Sequence, residues 1–349
     1  MYSVEQTQIG EHIEKSSAPA RLTPYHVREF SCGTLYYRTF FVDTKRDALY
    51  VGAMDRLYRL NMNNISASHC ERDAINLEPS NVAQCVSKGK SEHFDCRNHI
   101  RVIQPMGDGS RLYICGTNAH SPKDWVLYSN LTHLPRHEYV PGIGMGVAKC
   151  PYDPADNSTA LWVERGNPGS LPALYSGTNA EFTKADTVIF RTDLHNLTTG
   201  RKEFSFRRTL KYDSKWLDKP NFVGSFDVGD YVLFFFRETA VEYINCGKAV
   251  YSRVARVCKR DTGGKNILSQ NWATYLKARL NCSIPGEFPF YFNEIPESTN
   301  LDFNYIPLRP KHANIDCQFG TNIRSFNSMV HRDLSDKRAA NSRRGPIFI

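Results

Sequence analysis

Four segments of this chain repeat one short strand: LYVGA at residues 49–53, LYICGT at 112–117, LYSGT at 174–178 and YVLFFF at 231–236. The segments begin 63, 62 and 57 residues apart. A repeat of roughly this length, with several short β-rich runs and turn signals in each period, is typical of a β-propeller. We therefore predict an all-β fold, a propeller of about four long blades. Since four blades are at the low end for this architecture, we expect an incomplete ring.

The chain between residues 26 and 295 consists of short apolar runs, each bounded by Asp, Asn or Gly. Residues 227–230 predict a hairpin turn, and the Phe234-Phe235-Phe236 triplet, apolar on both faces, predicts a core strand. Apolar residues within 270–279 recur at helical spacing, so this stretch predicts either a helix or a loop followed by a strand. Further strands are predicted at 35–42, 48–53, 56–60, 100–104, 112–115, 187–192 and 222–226.

Composition is that of a globular chain: 349 residues, 41% hydrophobic and 12% aromatic. No apolar run approaches the ~18 to 20 residues of a membrane span, so none is predicted. The net charge of +8 is concentrated at residues 309–349, which carry eight Lys or Arg against three Asp. Because the rest is nearly neutral, we do not predict nucleic-acid binding by the body. A heparan-type glycan is the acidic partner that would suit the basic tail.

The two ends differ from the body in composition. Residues 1–25 are polar and carry charges where the apolar core of a signal peptide would lie, so we predict a disordered segment without a signal peptide. Residues 296–349 are basic, contain several prolines and show sparse apolar periodicity. We predict that they form a divergent, disordered tail.

Cysteine and sequon usage indicates an oxidising, secretory compartment. The chain has ten cysteines and no Cys-x-x-Cys pair, so a zinc or thioredoxin-type site has little support. Five Asn-x-Ser/Thr acceptors occur with a non-proline middle residue. The predicted N-glycosylation sites are Asn64, Asn130, Asn157, Asn196 and Asn281.

Motifs for catalysis and cofactor binding are absent or incomplete. The run GIGMG at 142–146 lacks the third glycine of a dinucleotide fingerprint and does not open a helix, which favours a turn. At 89–91, GKS has Gln84 where a phosphate loop needs its first glycine. We therefore predict no catalytic, cofactor-binding or metal-binding residues and no enzyme. A dispersed triad would escape this search, because its residues meet only in space.

Several stretches closely resemble the sema domain of semaphorins. The resemblance covers residues 26–295 and rests on SGTNAEF at 176–182, IFRT at 189–192, FFRE at 235–238, ARVCKRDTGG at 255–264 and WATYLKARLNCS at 272–283. The runs RTFF at 38–41, DAINLEP at 73–79 and KYDSKWLDKP at 211–220 look most like the secreted invertebrate class.

The resemblance implies a seven-bladed propeller in a secreted axon guidance cue that binds plexin receptors, usually as a homodimer, and is not an enzyme. From Pro296 onward the sequence no longer resembles the family, so the later blades are expected to be missing. The alternative is therefore a truncated, non-signalling fragment, with the basic tail contacting matrix glycans. A half ring would leave apolar faces uncovered, and we expect lower cooperativity and more aggregation than for a full ring.

The resemblance also implies that the loop at residues 259–265 binds the receptor, because the matching loop of the fourth blade lies at the plexin interface in semaphorins. From its residues alone, this loop is predicted to be exposed, since it combines charges of both signs with two glycines. An ordinary solvated loop is the alternative reading. Trp272 is expected to support the loop from beneath. The predicted receptor-binding residues are Lys259, Arg260, Asp261, Gly263, Gly264 and Lys265.

Three disulfide bonds are expected. The family closes the loop between Cys85 and Cys96, and it pairs Cys115 with a nearby cysteine that this chain lacks, for which Cys150 is the substitute. Cys32 and Cys70 flank the first blade and are paired by elimination. The four others, Cys246, Cys258, Cys282 and Cys317, allow three connectivities, between which the sequence does not choose.

Overall fold

The chain was analysed as a computed structural model, which describes residues 28–196, 198–284 and 286–295 and the backbone of 316–319. Strands β1 to β19 are the main regular elements of the described residues, which also contain one α-helix, α1 (Val82–Ser87). The predicted segment 1–25 and most of 296–349 lie outside the described residues. Short 3-10 helices span Ile65–Ala67, Arg136–Glu138, Pro168–Ser170, Val241–Cys246 and Asn266–Leu268.

The first two antiparallel sheets follow one another along the chain. Blade 1 has four strands in the order β1-β2-β3-β4, and blade 2 has three in the order β5-β6-β7. Turns with positive φ, such as that at Gly107 and Gly109, connect the strands. The strands are β1 (Thr39–Asp43), β2 (Ala48–Gly52), β3 (Arg56–Asn61), β4 (Ala74–Asn76), β5 (Ile100–Met106), β6 (Arg111–Gly116) and β7 (Lys123–Tyr128).

The next two sheets form blades 3 and 4. Blade 3 has the order β13-β10-β9-β8, and the pair β11-β12 lies between its strands in sequence. Blade 4 has the order β14-β15-β16-β17-β18, and β19 also pairs with β17. Blade 3 and the pair comprise β8 (Thr159–Val163), β9 (Ala173–Asn179), β10 (Thr187–Arg191), β11 (Leu194–His195), β12 (Lys202–Phe204) and β13 (Arg207–Arg208). Blade 4 comprises β14 (Asn221–Val228), β15 (Tyr231–Thr239), β16 (Val250–Cys258), β17 (Leu276–Ile284), β18 (Phe290–Phe292) and β19 (Asp316–Phe319).

The first strand of each blade lies beside the first strand of the next. Strand β1 contacts β5, β5 contacts β8, and β8 contacts β14. Together these four strands line a central cavity of about 680 Å³. This arrangement is that of a β-propeller, so the prediction of an all-β propeller with about four blades is confirmed.

Apolar side chains fill the spaces between the blades. Phe234 and Phe236 are fully buried in the cluster between blades 3 and 4, which also contains Tyr175 and Trp272. Phe235, on the opposite face of β15, packs in a separate cluster with Val254. Successive residues of a strand point to opposite faces, so both faces of β15 are covered. The predicted core strand is confirmed.

Two local predictions differ from the structure, and one open alternative is resolved. The strand predicted at 35–42 begins only at Thr39, because Tyr36 has φ 49 and turns the chain. Residues 270–279 contain no helix, and the alternative of a loop followed by strand β17 is the one observed. Within the segment predicted as a tail, the backbone of Asp316–Phe319 pairs with β17, where no element was predicted.

The structure contains the disulfide bonds Cys32–Cys70, Cys85–Cys96 and Cys115–Cys150. Cys282 is also disulfide-bonded. Among the described residues Cys246 and Cys258 are free thiols, and only Cys246 is exposed. Of the four cysteines left unassigned by the sequence, Cys282 is therefore bonded, whereas Cys246 and Cys258 are free.

Candidate functional site

The loop between β16 and β17, residues 259–275, lies against blade 3 as well as blade 4. Its backbone pairs with the outer strand of blade 3: Arg208 donates its N–H to the Gln270 carbonyl, and Trp272 donates to the Arg208 carbonyl, each over 3.0 Å. A parallel β-bridge joins Arg208 to Asn271. The loop is therefore fixed between two blades.

Asp261 joins the beginning of this loop to its end. Its carboxylate is 4% exposed. Oδ1 accepts the N–H of Gly263 at 2.7 Å. Oδ2 accepts the N–H groups of Ala273 at 3.0 Å and Thr274 at 2.8 Å, and the Thr274 hydroxyl at 2.6 Å. Hydrogen bonds to an ionised acceptor are among the stronger ones, so this carboxylate holds the loop closed.

Arg191 of β10 braces the same loop from blade 3. It is fully buried, and its Nη1 donates to the carbonyls of Lys259 and Asp261 at 3.1 Å each. Its guanidinium carbon lies 5.6 Å from the centre of the Trp272 ring, a cation–π contact. The Trp272 side chain is itself buried and donates Nε1–H to the Ile189 carbonyl at 2.9 Å.

A second buried arginine, Arg207, lies beside the turn of the loop. It is 6% exposed and donates from Nη2 to the Thr262 carbonyl. Burial, together with the neighbouring charge of Arg191, lowers the pKa of Arg207. The buried carboxylate of Asp261 opposes this effect, so it compensates charge as well as forming hydrogen bonds.

Lys259 and Asp261 do not form the exposed charged surface that the sequence predicted. Lys259 is 6% exposed, forms an ion pair with Asp227 through Nζ and donates its N–H to the Asp230 carbonyl at 3.0 Å. The prediction of exposure is therefore wrong at these two positions. Their partners come from the β14–β15 turn and from blade 3, which only the fold brings close.

The two predicted glycines make the turn of the loop possible. Gly263 has φ +89, and a Cβ there would overlap the Ser269 carbonyl oxygen. Gly264 donates its N–H to the carbonyls of Leu268 at 3.1 Å and Asn271 at 3.2 Å. Residues with a side chain rarely adopt the conformation of Gly263, and a Cβ on Gly264 would lie only 2.9 Å from the Leu268 carbonyl oxygen, so the two glycines shape the loop.

The exposed part of the loop includes two cations and two apolar side chains, Arg260, Lys265, Ile267 and Leu268, which we call the loop tip. Arg260 and Lys265 are exposed, and neither side chain makes a hydrogen bond or an ion pair to another described residue, although the Lys265 carbonyl accepts the Leu268 N–H at 3.0 Å. Ile267 is 95% exposed and Leu268 45% exposed. Sequence analysis missed this apolar pair, although it lies only three and four residues after Gly264. The loop tip thus combines an apolar centre with two unpaired cations.

The five sequons differ in accessibility. Asn64 and Asn130 are exposed, and Asn196 is half-buried in a turn, where its amide donates to Glu203. Asn157 faces the central cavity, accepts Arg38 Nη2 at 3.2 Å and donates to Asn221 Oδ1 at 2.8 Å. Asn281 lies within strand β17, between β16 and the outer pairs of the sheet.

Two observations bear on other kinds of site. In the part of the chain that the structure describes, no three His, Cys, Asp or Glu side chains are grouped to hold a metal ion. None of the helices within those residues is long and apolar enough to cross a membrane.

No family model matches the sequence. The chain is 82% identical over 269 residues to Semaphorin-2A of Schistocerca gregaria, covering 77% of this chain and 39% of that protein. It superposes on the solved structure of Drosophila Semaphorin 2a with a TM-score of 0.76 and 75% identity, over 77% of this chain and 44% of that one. It also resembles a solved structure of Drosophila Plexin A in complex with Semaphorin 1b, with a TM-score of 0.59, 37% identity, and 75% and 45% coverage. The chain thus spans less than half the length of these relatives.

Proposed function

Since the matched part of this chain is a sema-domain segment of the semaphorin family, we propose that it belongs to a secreted axon guidance cue that binds a plexin receptor through its propeller. The observation that carries the proposal is the close likeness to Semaphorin-2A over 269 residues, 77% of this chain. In this role the chain acts as a signalling ligand and not as an enzyme.

The plexin partner is supported by the relative Semaphorin 1b, whose solved structure is in complex with Drosophila Plexin A. We propose that this chain contacts its plexin through the loop tip. An exposed apolar centre can be desolvated in a complex, and the surrounding cations can steer an acidic partner and set specificity. Lys259 and Asp261 then act indirectly, by holding the tip in place.

Binding of a plexin extracellular region to the purified chain tests the proposal. With the plexin immobilised, surface plasmon resonance should give saturable binding by a chain that elutes as a single species and unfolds cooperatively. A chain that meets both folding criteria and shows no binding at tens of micromolar would contradict the proposal.

One further partner follows from the resemblance and another from the charge of the chain. We propose that the parent protein forms a homodimer, and that its basic residues at 309–349 bind a heparan-type glycan. Those residues lie outside the described part of the chain, so the glycan proposal rests on charge alone.

An extracellular location makes a prediction about glycosylation. After expression with a secretion signal, Asn64, Asn130 and Asn196 should carry glycans, because Asn64 and Asn130 are exposed and Asn196 lies next to the exposed residues 198–200. Asn157 and Asn281 should stay unmodified, because a glycan on Asn157 would displace its bonds in the central cavity and Asn281 lies inside a sheet. Peptide mass spectrometry after glycosidase treatment measures the occupancy of each site. Occupied Asn157 in correctly folded protein would show that the cavity wall is arranged differently.

A further inference from the structure

A second cavity lies between blades 2 and 3, away from the loop tip. Its volume is about 570 Å³, which falls in the range of ligand sites for small molecules. The β5–β6 turn, the segment at 140–149 and the ends of strands β8 to β10 enclose it. Ile143, Trp162, Leu174 and Phe190 form much of its apolar wall.

Aromatic side chains and the glycine-rich run at 142–146 shape this cavity. The rings of Tyr113 and Trp162 stack with their centres 5.8 Å apart. Gly144 donates its N–H to Asp124 Oδ1 at 2.7 Å, which fixes the glycine-rich run over the cavity. The glycine-rich run at 142–146, which lacks the features of a nucleotide site, therefore forms part of the cavity wall.

The cations of the cavity are already neutralised. Lys149 is buried, and its Nζ donates to Asp124 Oδ2 and to the Gly142 carbonyl, each at 2.6 Å. Arg111 forms an ion pair with Glu138 at 2.6 Å. A bound group would therefore meet little net positive charge from these two side chains.

Carboxylates of the cavity, in contrast, are less closely paired with cations, although Arg46 donates to the Asp108 carbonyl at 3.4 Å. Among the described residues, neither Asp108 nor Glu164 has a cation within ion-pair distance, and Asp193 has only Lys202 at 3.9 Å. Hydrogen bonds from Ser110, together with the nearby charge of Arg46, lower the pKa of Asp108 and favour its ionised form. Glu164 Oε1 accepts the Trp162 Nε1–H at 2.6 Å, which places a carboxylate beside the aromatic wall.

We propose that this cavity binds a small organic cation with an aromatic or apolar body, such as an arylalkylamine. The apolar wall receives the body, and Trp162 offers a ring face that attracts a cation. The carboxylates of Glu164 and Asp193 attract the ammonium group. A carboxylic acid of the same shape would meet their repulsion.

Three indole probes of similar size test the charge preference on the whole chain. Ligand-observed NMR titration should show tryptamine binding at least tenfold more tightly than indole-3-acetate, with neutral indole between them. A smaller preference, or no binding by any probe, would overturn the proposal.

A double variant tests the assigned residues. Glu164→Gln with Asp193→Asn removes both charges but keeps the acceptors for Trp162 Nε1 and for the Phe206 N–H. The variant should lose at least fivefold in tryptamine affinity and retain its indole affinity, which reports an intact cavity. Glu71→Gln, a change of an exposed carboxylate on blade 1, is the matched control. Unchanged tryptamine binding by the double variant would overturn the role of these carboxylates.

Discussion

Asp261→Ala should lower the free energy of unfolding by about 2 to 4 kcal/mol. The substitution leaves three backbone N–H groups and one hydroxyl of the loop without their acceptor. It also removes the carboxylate that compensates the buried charge of Arg207. Urea unfolding followed by tryptophan fluorescence measures the effect, because Trp272 lies within the affected loop.

Asp230→Ala is the matched control for this prediction. Asp230 is exposed, and the loop uses only its backbone carbonyl, which alanine keeps. We expect a change within about 0.5 kcal/mol for this surface substitution. Equal urea midpoints of unfolding for Asp261→Ala and Asp230→Ala would mean that the Asp261 side chain does not stabilise the loop.

Arg260→Glu combined with Lys265→Glu should weaken plexin binding at least tenfold, about 1.4 kcal/mol. Both side chains are exposed at the loop tip and have no partner among the described residues, so the reversal should change the binding surface and not the fold. The melting temperature should stay the same. Surface plasmon resonance at two salt concentrations should show that part of the loss comes from a lower association rate constant. For the unchanged chain this rate constant should fall when salt is added.

Lys45→Glu with Arg136→Glu provides a control of the same charge change. Both residues are exposed and lie on blades 1 and 2, away from the loop tip. If this control weakens binding as much as the loop variant, the effect reflects net charge. If the folded loop variant binds normally, the interface lies elsewhere on the propeller.

The sequence predicted the elements of the fold well because strand signals are local. The period of the four LY-type segments predicts the blades, and residues 227–230 predict the turn that separates β14 from β15. The buried triplet at 234–236 could be recognised because apolar residues on both faces of a strand require cover on both sides.

The loop could be located from the sequence, but the roles of its residues could not. Arg191 lies 70 residues before Asp261, and its buried contact is created by the packing of blade 3 on blade 4. A lysine or aspartate in a glycine-containing stretch normally predicts exposure, since charged side chains are rarely buried without partners. Here the partners exist, which is why Lys259 and Asp261 are buried while Arg260 is not.

Hydrogen exchange of the chain with and without a plexin extracellular region tests the central claim most directly. We predict that exchange slows at residues 260–268 in the complex, over the loop tip, because binding covers exposed backbone there. Strands on the far side of the ring, such as β2 and β3, should be unaffected. Slowed exchange confined to other blades, with unchanged rates at 260–268, would contradict the assignment of the receptor contact to this loop.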